Sequence, residues 1–334
     1  MSKRYQLVGI GNAMVDVLSQ TDDAFLAANG VEKGVMQLTD RDRGVALYGR
    51  IGPAIEMSGG SAANTIAGFA RLGGRAAYVG KVRDDQLGAI FAHDLRAQGV
   101  VYEVPPAPRD HPEETGRCIV LVTPDGERSM NTYLGVTEHL APGDIDERMM
   151  QEAEWVFLEG YRFDGPESHE AFARAIAAVK RGGGKVALTL SDPFCVDRHH
   201  AAFAGMLRDD VDLLFANRAE IVAMYGAEED DFDAALARAA AEVETVVCTE
   251  GEHGAHVLQG ATRCHCPAVP TRVVDATGAG DLFAAAFLWG MAEGHDLETC
   301  GIMGNIAASE VISHLGARVE GDLKARFRAF GVKL

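Results

Sequence analysis

Short apolar runs alternate with stretches of helical period along almost the whole chain. Strands buried on both faces read as continuous apolar runs, so this alternation can close a core only as a mostly parallel sheet covered by helices on both faces. Residues 7–10, 76–79, 155–158, 186–190, 211–215 and 246–248 are the expected strands. Residues 62–72, 86–98, 166–181, 217–225, 231–242, 279–292 and 297–314 are the expected helices, with Gly73-Gly74, Gly99 and Gly182-Gly183-Gly184 closing three of them. The pattern fails between residues 100 and 133, which contain no good helix. There 116–123 and 128–133 read as two strands joined by the turn Pro124-Asp125-Gly126. The expectation is an α/β fold of one domain, residues 1–334, with a small flap sheet built from about 12–20, 33–39 and 100–135.

Composition removes several classes of function. With 334 residues, 47% hydrophobic and 24% charged, the chain has ample material for a packed core, which excludes disordered and fibrous architectures. Its 31 Lys plus Arg against 49 Asp plus Glu, a net charge of −18, repel nucleic acid and anionic membrane, so a phosphate ligand must be captured locally. No run is apolar for long enough to span a bilayer, and Met1-Ser2-Lys3-Arg4-Tyr5-Gln6 leads into a strand without a signal-peptide core. A cytoplasmic location is expected. The six cysteines are too scattered for a disulfide framework. Cys264-His265-Cys266, with His253 and His256 upstream, admits a metal site but lacks a second well-spaced pair.

The segment Val273-Val274-Asp275-Ala276-Thr277-Gly278-Ala279-Gly280-Asp281 ends a strand, turns through small residues and opens an apolar helix. The free N–H groups of Gly278, Ala279 and Gly280 suit an anion, favoured further by the helix dipole. Asp281, just inside the helix, is either a cap or a base that accepts a proton from an attacking hydroxyl. A second small-residue turn, Ser58-Gly59-Gly60-Ser61-Ala62-Ala63-Asn64, enters another helix, and Asn217-Arg218-Ala219-Glu220 opens a third. Three such turns at strand ends imply one ligand-lined edge.

Taken in order, these motifs resemble the ribokinase-like (PfkB) family of carbohydrate and nucleoside kinases, and the resemblance spans essentially the whole chain. It implies a three-layer α/β/α fold with a small β-sheet lid, Asp281 as catalytic base, and Gly278, Ala279 and Gly280 as the anion hole. It further implies that Asn217 and Glu220 organise Mg²⁺ through water, although an Asn followed three residues on by Glu is equally a helix capping box. Thr249, Gly251 and Gly254 of Thr249-Glu250-Gly251-Glu252-His253-Gly254 match a turn along the ATP phosphates, or form an ordinary hairpin. Asn305 either borders the adenine or packs its helix. Ala276 departs from the family's usual Thr, Ser or Pro, which puts a monovalent cation near Asp275 in doubt.

The first strand ends in Gly9-Ile10-Gly11-Asn12-Ala13-Met14-Val15-Asp16, where Met14 breaks a dinucleotide fingerprint. Asp16 is either a turn residue or a bidentate acceptor for two adjacent ribose hydroxyls. In the kinase reading, Gly59, Gly60 and Asn64 hold the same ring. G-N-x-x-x-D resembles adenosine kinases more than ribokinases or fructokinases, as do Thr115-Gly116-Arg117-Cys118 and Gly126-Glu127-Arg128-Ser129-Met130. There Arg128 matches a flap arginine that reaches the phosphates and Met130 an apolar neighbour of the base. Glu159 instead resembles the strand-end Glu of ribokinases and keeps a sugar open as substrate. The expectation is an ATP-dependent kinase acting on adenosine, with a sugar kinase of the same fold or a catalytically silent nucleoside sensor as alternatives. Either a monomer or a homodimer paired through the flap edge is compatible with the sequence.

Overall fold

The computed structural model describes residues 3–226 and 231–334; Met1 and Ser2, the start of the N-terminal stretch, lie outside the described residues. Its strands form two sheets. The larger holds β1 (Tyr5–Ile10), β5 (Ala76–Val79), β8 (Ala153–Glu159), β9 (Lys185–Thr189), β10 (Leu213–Asn217), β11 (Thr245–Thr249), β12 (Ala255–Gln259) and β13 (Thr262–Cys266), in the spatial order β13-β12-β11-β10-β9-β8-β1-β5. All neighbours from β11 to β5 pair in parallel, and β12 and β13 add an antiparallel edge.

The helices are α1 (Asp23–Ala28), α2 (Arg41–Tyr48), α3 (Ser61–Arg71), α4 (Gln86–Ala97), α5 (Glu147–Gln151), α6 (Ser168–Arg181), α7 (Pro193–Asp209), α8 (Arg218–Tyr225), α9 (Phe232–Glu242), α10 (Ala279–Ala292), α11 (Leu297–Val311) and α12 (Leu323–Ala329). One helical layer is α3, α10 and α11; the other runs from α5 to α9, giving the three-layer α/β/α arrangement. Strands sandwiched this way must be apolar on both faces, and Leu213, Leu214, Val246, Val247 and Cys248 are all fully buried. Every residue from Leu282 to Gly290 of α10 is buried, because α10 packs against both α3 and α11 and has no solvent face over that span.

The second sheet holds β2 (Met14–Gln20), β3 (Met36–Leu38), β4 (Ala54–Gly59), β6 (Thr115–Val122) and β7 (Arg128–Gly135), ordered β3-β7-β6-β2-β4. Its period-2 alternation is apolar on both faces: Val15, Val17, Ile119 and Leu121 join the main core, while Met14, Leu18, Cys118, Val120, Val122 and Leu134 form a separate apolar cluster. Of the flap stretch expected over 100–135, only β6 and β7 belong to this sheet. The preceding residues run beside the main sheet, with bridges from Val101 to Ala77 and from Ala107 to Arg83. Strand β4, outside the expected flap, completes the sheet by pairing antiparallel with β2.

Candidate active site

Strand order in the main sheet reverses about β1, with β5 on one side and β8 on the other. In open α/β sheets ligands bind beyond the strands' C-terminal ends at such a point. Here the chain forms a cleft of about 440 Å³ between that edge, the N-terminal turns of α3 and α10, and the second sheet.

At the floor, the small-residue turn before α10 is fixed by Asp275, which is fully buried. Its Oδ1 accepts from the N–H (2.9 Å) and hydroxyl (2.6 Å) of Thr277, and its Oδ2 accepts from the N–H of Gly316 (2.8 Å). Both oxygens accept hydrogen bonds, and Ala276 adds no side-chain oxygen beside them. Gly278 takes a left-handed φ of 79° where its missing side chain would face Ala317. The turn thereby delivers the first N–H groups of α10, which have no intrahelical acceptor, to the cleft.

Asp281 stands beside them. Its Oδ1 accepts from the Ser61 hydroxyl (2.6 Å) and its Oδ2 from Asn64 Nδ2 (2.8 Å), both on α3. Burial raises its pKa, with these two hydrogen bonds, Arg128 and Arg318 acting in the opposite direction.

Asp16 on β2 faces the cleft from the second sheet, and burial pushes its carboxyl up to about 7 against the opposing pull of Arg318. Gly59 does not line the cleft, yet a side chain there would collide with the Asp16 carboxylate. Gly60, at φ 98°, lets α3 begin against the Asn12 carbonyl, where a Cβ would not fit. Glu159, at the end of β8, accepts from the N–H groups of Asn12 (3.2 Å) and Ala62 (2.8 Å), and burial raises its pKa to about 7. Glu159 therefore ties the end of β1 to the start of α3. Beneath Asn12 lies the buried Arg162, donating to Asn12 Oδ1 (3.1 Å), the Thr137 carbonyl (2.6 Å) and the Ser168 hydroxyl (2.7 Å).

Further along the edge, Asn217 and Glu220 line the cleft and form a complete capping box at α8: Glu220 N–H donates to Asn217 Oδ1 (2.9 Å) and Asn217 N–H to Glu220 Oε2 (3.0 Å). Burial lifts Glu220 to about 7. Thr249 and Gly251 line the same end, and from the second sheet Arg128 and Met130 reach the cleft. Arg128 has no hydrogen-bond or ion-pair partner among the described residues. Two expected residues lie elsewhere. Gly254, at φ 93°, fits a turn against the Cys266 carbonyl, and Asn305 donates to the carbonyls of Cys266 (2.9 Å) and Pro267 (3.1 Å). Around Cys264 and Cys266, as elsewhere among the described residues, no group of three or more His, Cys, Asp or Glu is placed to hold a metal ion.

Sequence reasoning passed over Ser61, Arg162 and Arg318. Ser61 sits inside a quoted motif, so its place at the start of α3 was a usable signal; the two arginines belong to no motif and reach the site through tertiary contacts alone.

The profile of the pfkB family carbohydrate kinases matches residues 55–322, and the chain belongs to that family. It is a phosphotransferase acting on a hydroxyl group. The crystal structure of adenosine kinase from Sinorhizobium meliloti is 46% identical, superposes with a TM-score of 0.93 and is matched over 98% of this chain and 100% of that one. A probable sugar kinase protein from Rhizobium etli CFN 42 is 44% identical, with a TM-score of 0.94 over 98% and 99% of the two chains. Adenosine kinase of Saccharomyces cerevisiae is 26% identical over 333 residues, 93% of this chain and 95% of its own.

Proposed function

We propose that this kinase transfers the γ-phosphate of ATP to the 5′-hydroxyl of adenosine, giving AMP. The observation that carries the choice of substrate is the apolar inner face of the second sheet. Met14, Cys118, Val120, Met130 and Leu134 line the cleft on the same sheet as Asp16, so a ribose held by Asp16 and Asn64 places its base against an apolar wall. A free sugar has no group to fill that wall. Glu159 adds support, because both its oxygens are engaged in holding the N–H groups of Asn12 and Ala62 and so in joining β1 to α3. The yeast and Sinorhizobium relatives named adenosine kinase agree with this reading.

Asp281 takes the proton of the 5′-hydroxyl as that oxygen attacks phosphorus. A carboxylate with a raised pKa, held by one donor on each oxygen, suits this task. The N–H groups of Gly278, Ala279 and Gly280 receive the charge on the transferring phosphoryl group. Arg128, Thr249 and Gly251 lie along the ATP phosphates, and Gly254 shapes the turn that follows Gly251. Asn217 and Glu220, already joined to one another in the capping box, would hold Mg²⁺ through water. Held there, the ion would supply charge neutralisation on the ATP phosphates. The second sheet acts as the lid of one kinase domain, excluding water when the ligands are in place. The turn of its hairpin at Gly126 already lies beside Val273 and Val274, which lead into the anion-binding turn. Six free cysteines fit a reducing, cytoplasmic setting.

The test is ADP release from Mg·ATP with adenosine, inosine, guanosine, ribose and fructose, on wild type and Asp281→Asn. Turnover is expected with adenosine, reduced about 10²- to 10⁴-fold in the variant. Turnover with free sugars alone assigns a sugar kinase, and none with any acceptor, despite binding, assigns a sensor.

A further inference from the structure

Arg318 belongs to no motif, yet it is joined to the proposed base through a single side chain. It lies in the loop after α11, which is tied to the anion-binding turn by the hydrogen bond from Gly316 N–H to Asp275. Its guanidinium forks: Nη1 donates to Asn64 Oδ1, while Nη2 donates to the carbonyl (2.6 Å) and hydroxyl (2.7 Å) oxygens of Ser58 on β4. Asn64 then turns Nδ2 to Asp281. An amide can rotate to exchange its oxygen and nitrogen, but with a guanidinium, which only donates, at one end and a carboxylate at the other, just one orientation pairs both. Beyond Ser58 the chain continues, since the Ser58 N–H (3.0 Å) and hydroxyl (2.5 Å) donate to Asp94 on α4.

We propose that Arg318 is a positioning residue for the phosphotransfer base: it locks the Asn64 amide toward Asp281, sets a fixed cation beside both Asp16 and Asp281, and ties the base to strand β4 of the lid sheet. This inference rests on the reading of Asp281 given above. The charged groups acting on Asp281 from the surrounding elements are Arg318, Arg128 on β7, Asp16 on β2 and Glu159 on β8; α3 contributes the neutral Ser61 and Asn64. Of the two cations, Arg128 sits on the lid hairpin without a partner among the described residues, whereas Arg318 is held by three oxygens. Arg318 is therefore the cation whose place does not depend on the lid hairpin. A lysine at 318 keeps the charge but has no planar fork, so it cannot hold Ser58 and Asn64 in the same geometry.

The experiment measures kcat and KM for adenosine and Mg·ATP across pH, with thermal unfolding alongside, for wild type, Arg318→Lys and Arg318→Met. Loss of positioning lowers kcat about 10²-fold in Arg318→Met with KM for Mg·ATP unchanged. Removing the cation moves the acid limb of the kcat profile upward by about one pH unit, and Arg318→Lys restores the limb more than the rate. A wild-type limb in both variants, or a fall in kcat with no movement of the limb, overturns the inference and leaves Arg318 a structural residue. If Arg318→Met does not fold, the limb and rate of Arg318→Lys decide the matter. Absence of wild-type turnover overturns the parent reading and this inference together, whereas normal wild-type turnover with unaltered variants overturns this inference alone.

Discussion

Two glycines of the proposed anion-binding turn, two residues apart, answer to opposite constraints, and exchanging each for alanine separates stability from activity. Gly278 has a φ of 79°, and a Cβ built on it would lie 2.6 Å from the Ala317 Cβ and 2.9 Å from the Ala317 Cα. A left-handed conformation costs a side-chain-bearing residue about 1–2 kcal/mol, and overpacking against atoms that cannot swing away adds about 1–3 kcal/mol. Gly278→Ala is thus expected to lose about 2–5 kcal/mol of stability. Gly280 is helical, and a Cβ on it meets nothing within 4 Å. Its replacement gains up to about 0.5–1 kcal/mol from helix propensity. The new methyl enters the cleft where the transferring phosphoryl group is proposed to sit, so kcat/KM falls about 10²-fold. Urea unfolding gives the first quantity and steady-state ADP release the second. The reasoning is refuted if Gly278→Ala unfolds within about 0.5 kcal/mol of wild type, the range of an ordinary surface change. Full activity in Gly280→Ala removes the phosphoryl group from this turn.

Other expectations can be checked with single variants. Glu159→Gln turns an NH₂ group toward a backbone N–H and is expected to cost about 1–3 kcal/mol near pH 5, read by urea unfolding. Because burial raises Glu159 from 4.5 to about 7, its carboxyl stabilises the fold fully below the lower value and loses that contribution as pH rises through the upper one. The wild type's lead over Glu159→Gln must therefore shrink between about pH 5 and pH 8, and a widening lead would reverse the assigned direction. Arg128→Ala removes a cation with no partner among the described residues. It is expected to leave stability within about 0.5 kcal/mol while raising KM for Mg·ATP, as initial-rate kinetics will show.

What the sequence made legible follows from where patterns are local. The inner parallel strands announced themselves because burial on both faces demands uninterrupted apolar runs, and Asp281 and Asn64 follow turns whose small residues are themselves the signal, as Asp16 follows the glycine-bearing end of β1. Strands β12 and β13 were legible only as the hairpin alternative at 249–254, because an edge hairpin carrying His256, His265 and Thr262 has no such run. Strand β4 begins with three exposed residues, Ala54, Ile55 and Glu56, and becomes a strand through its pairing with β2. Helix α2 is short, with only Gly44 and Leu47 buried, so its apolar stripe was too narrow to register. For Asn305 the sequence left a ligand contact and a packing role open, and in the fold its amide nitrogen donates to the backbone at 266 and 267. Arg318 lies 254 residues from the amide it holds, a separation over which no local pattern operates.

That separation also bears on biosynthesis. The proposed base, its α3 partners, the strand carrying Asp16 and the arginine behind them come from segments far apart in the chain, and β1 must wait for β8 before either closes the reversal point of the sheet. Contacts of such long range form late and slowly. A ribosome releasing this chain from its N-terminus therefore exposes a lid sheet and half a core long before residue 318 emerges. Phosphotransfer would then begin only once that loop has been made, so a nascent chain stalled before it should be folded in part and silent in function.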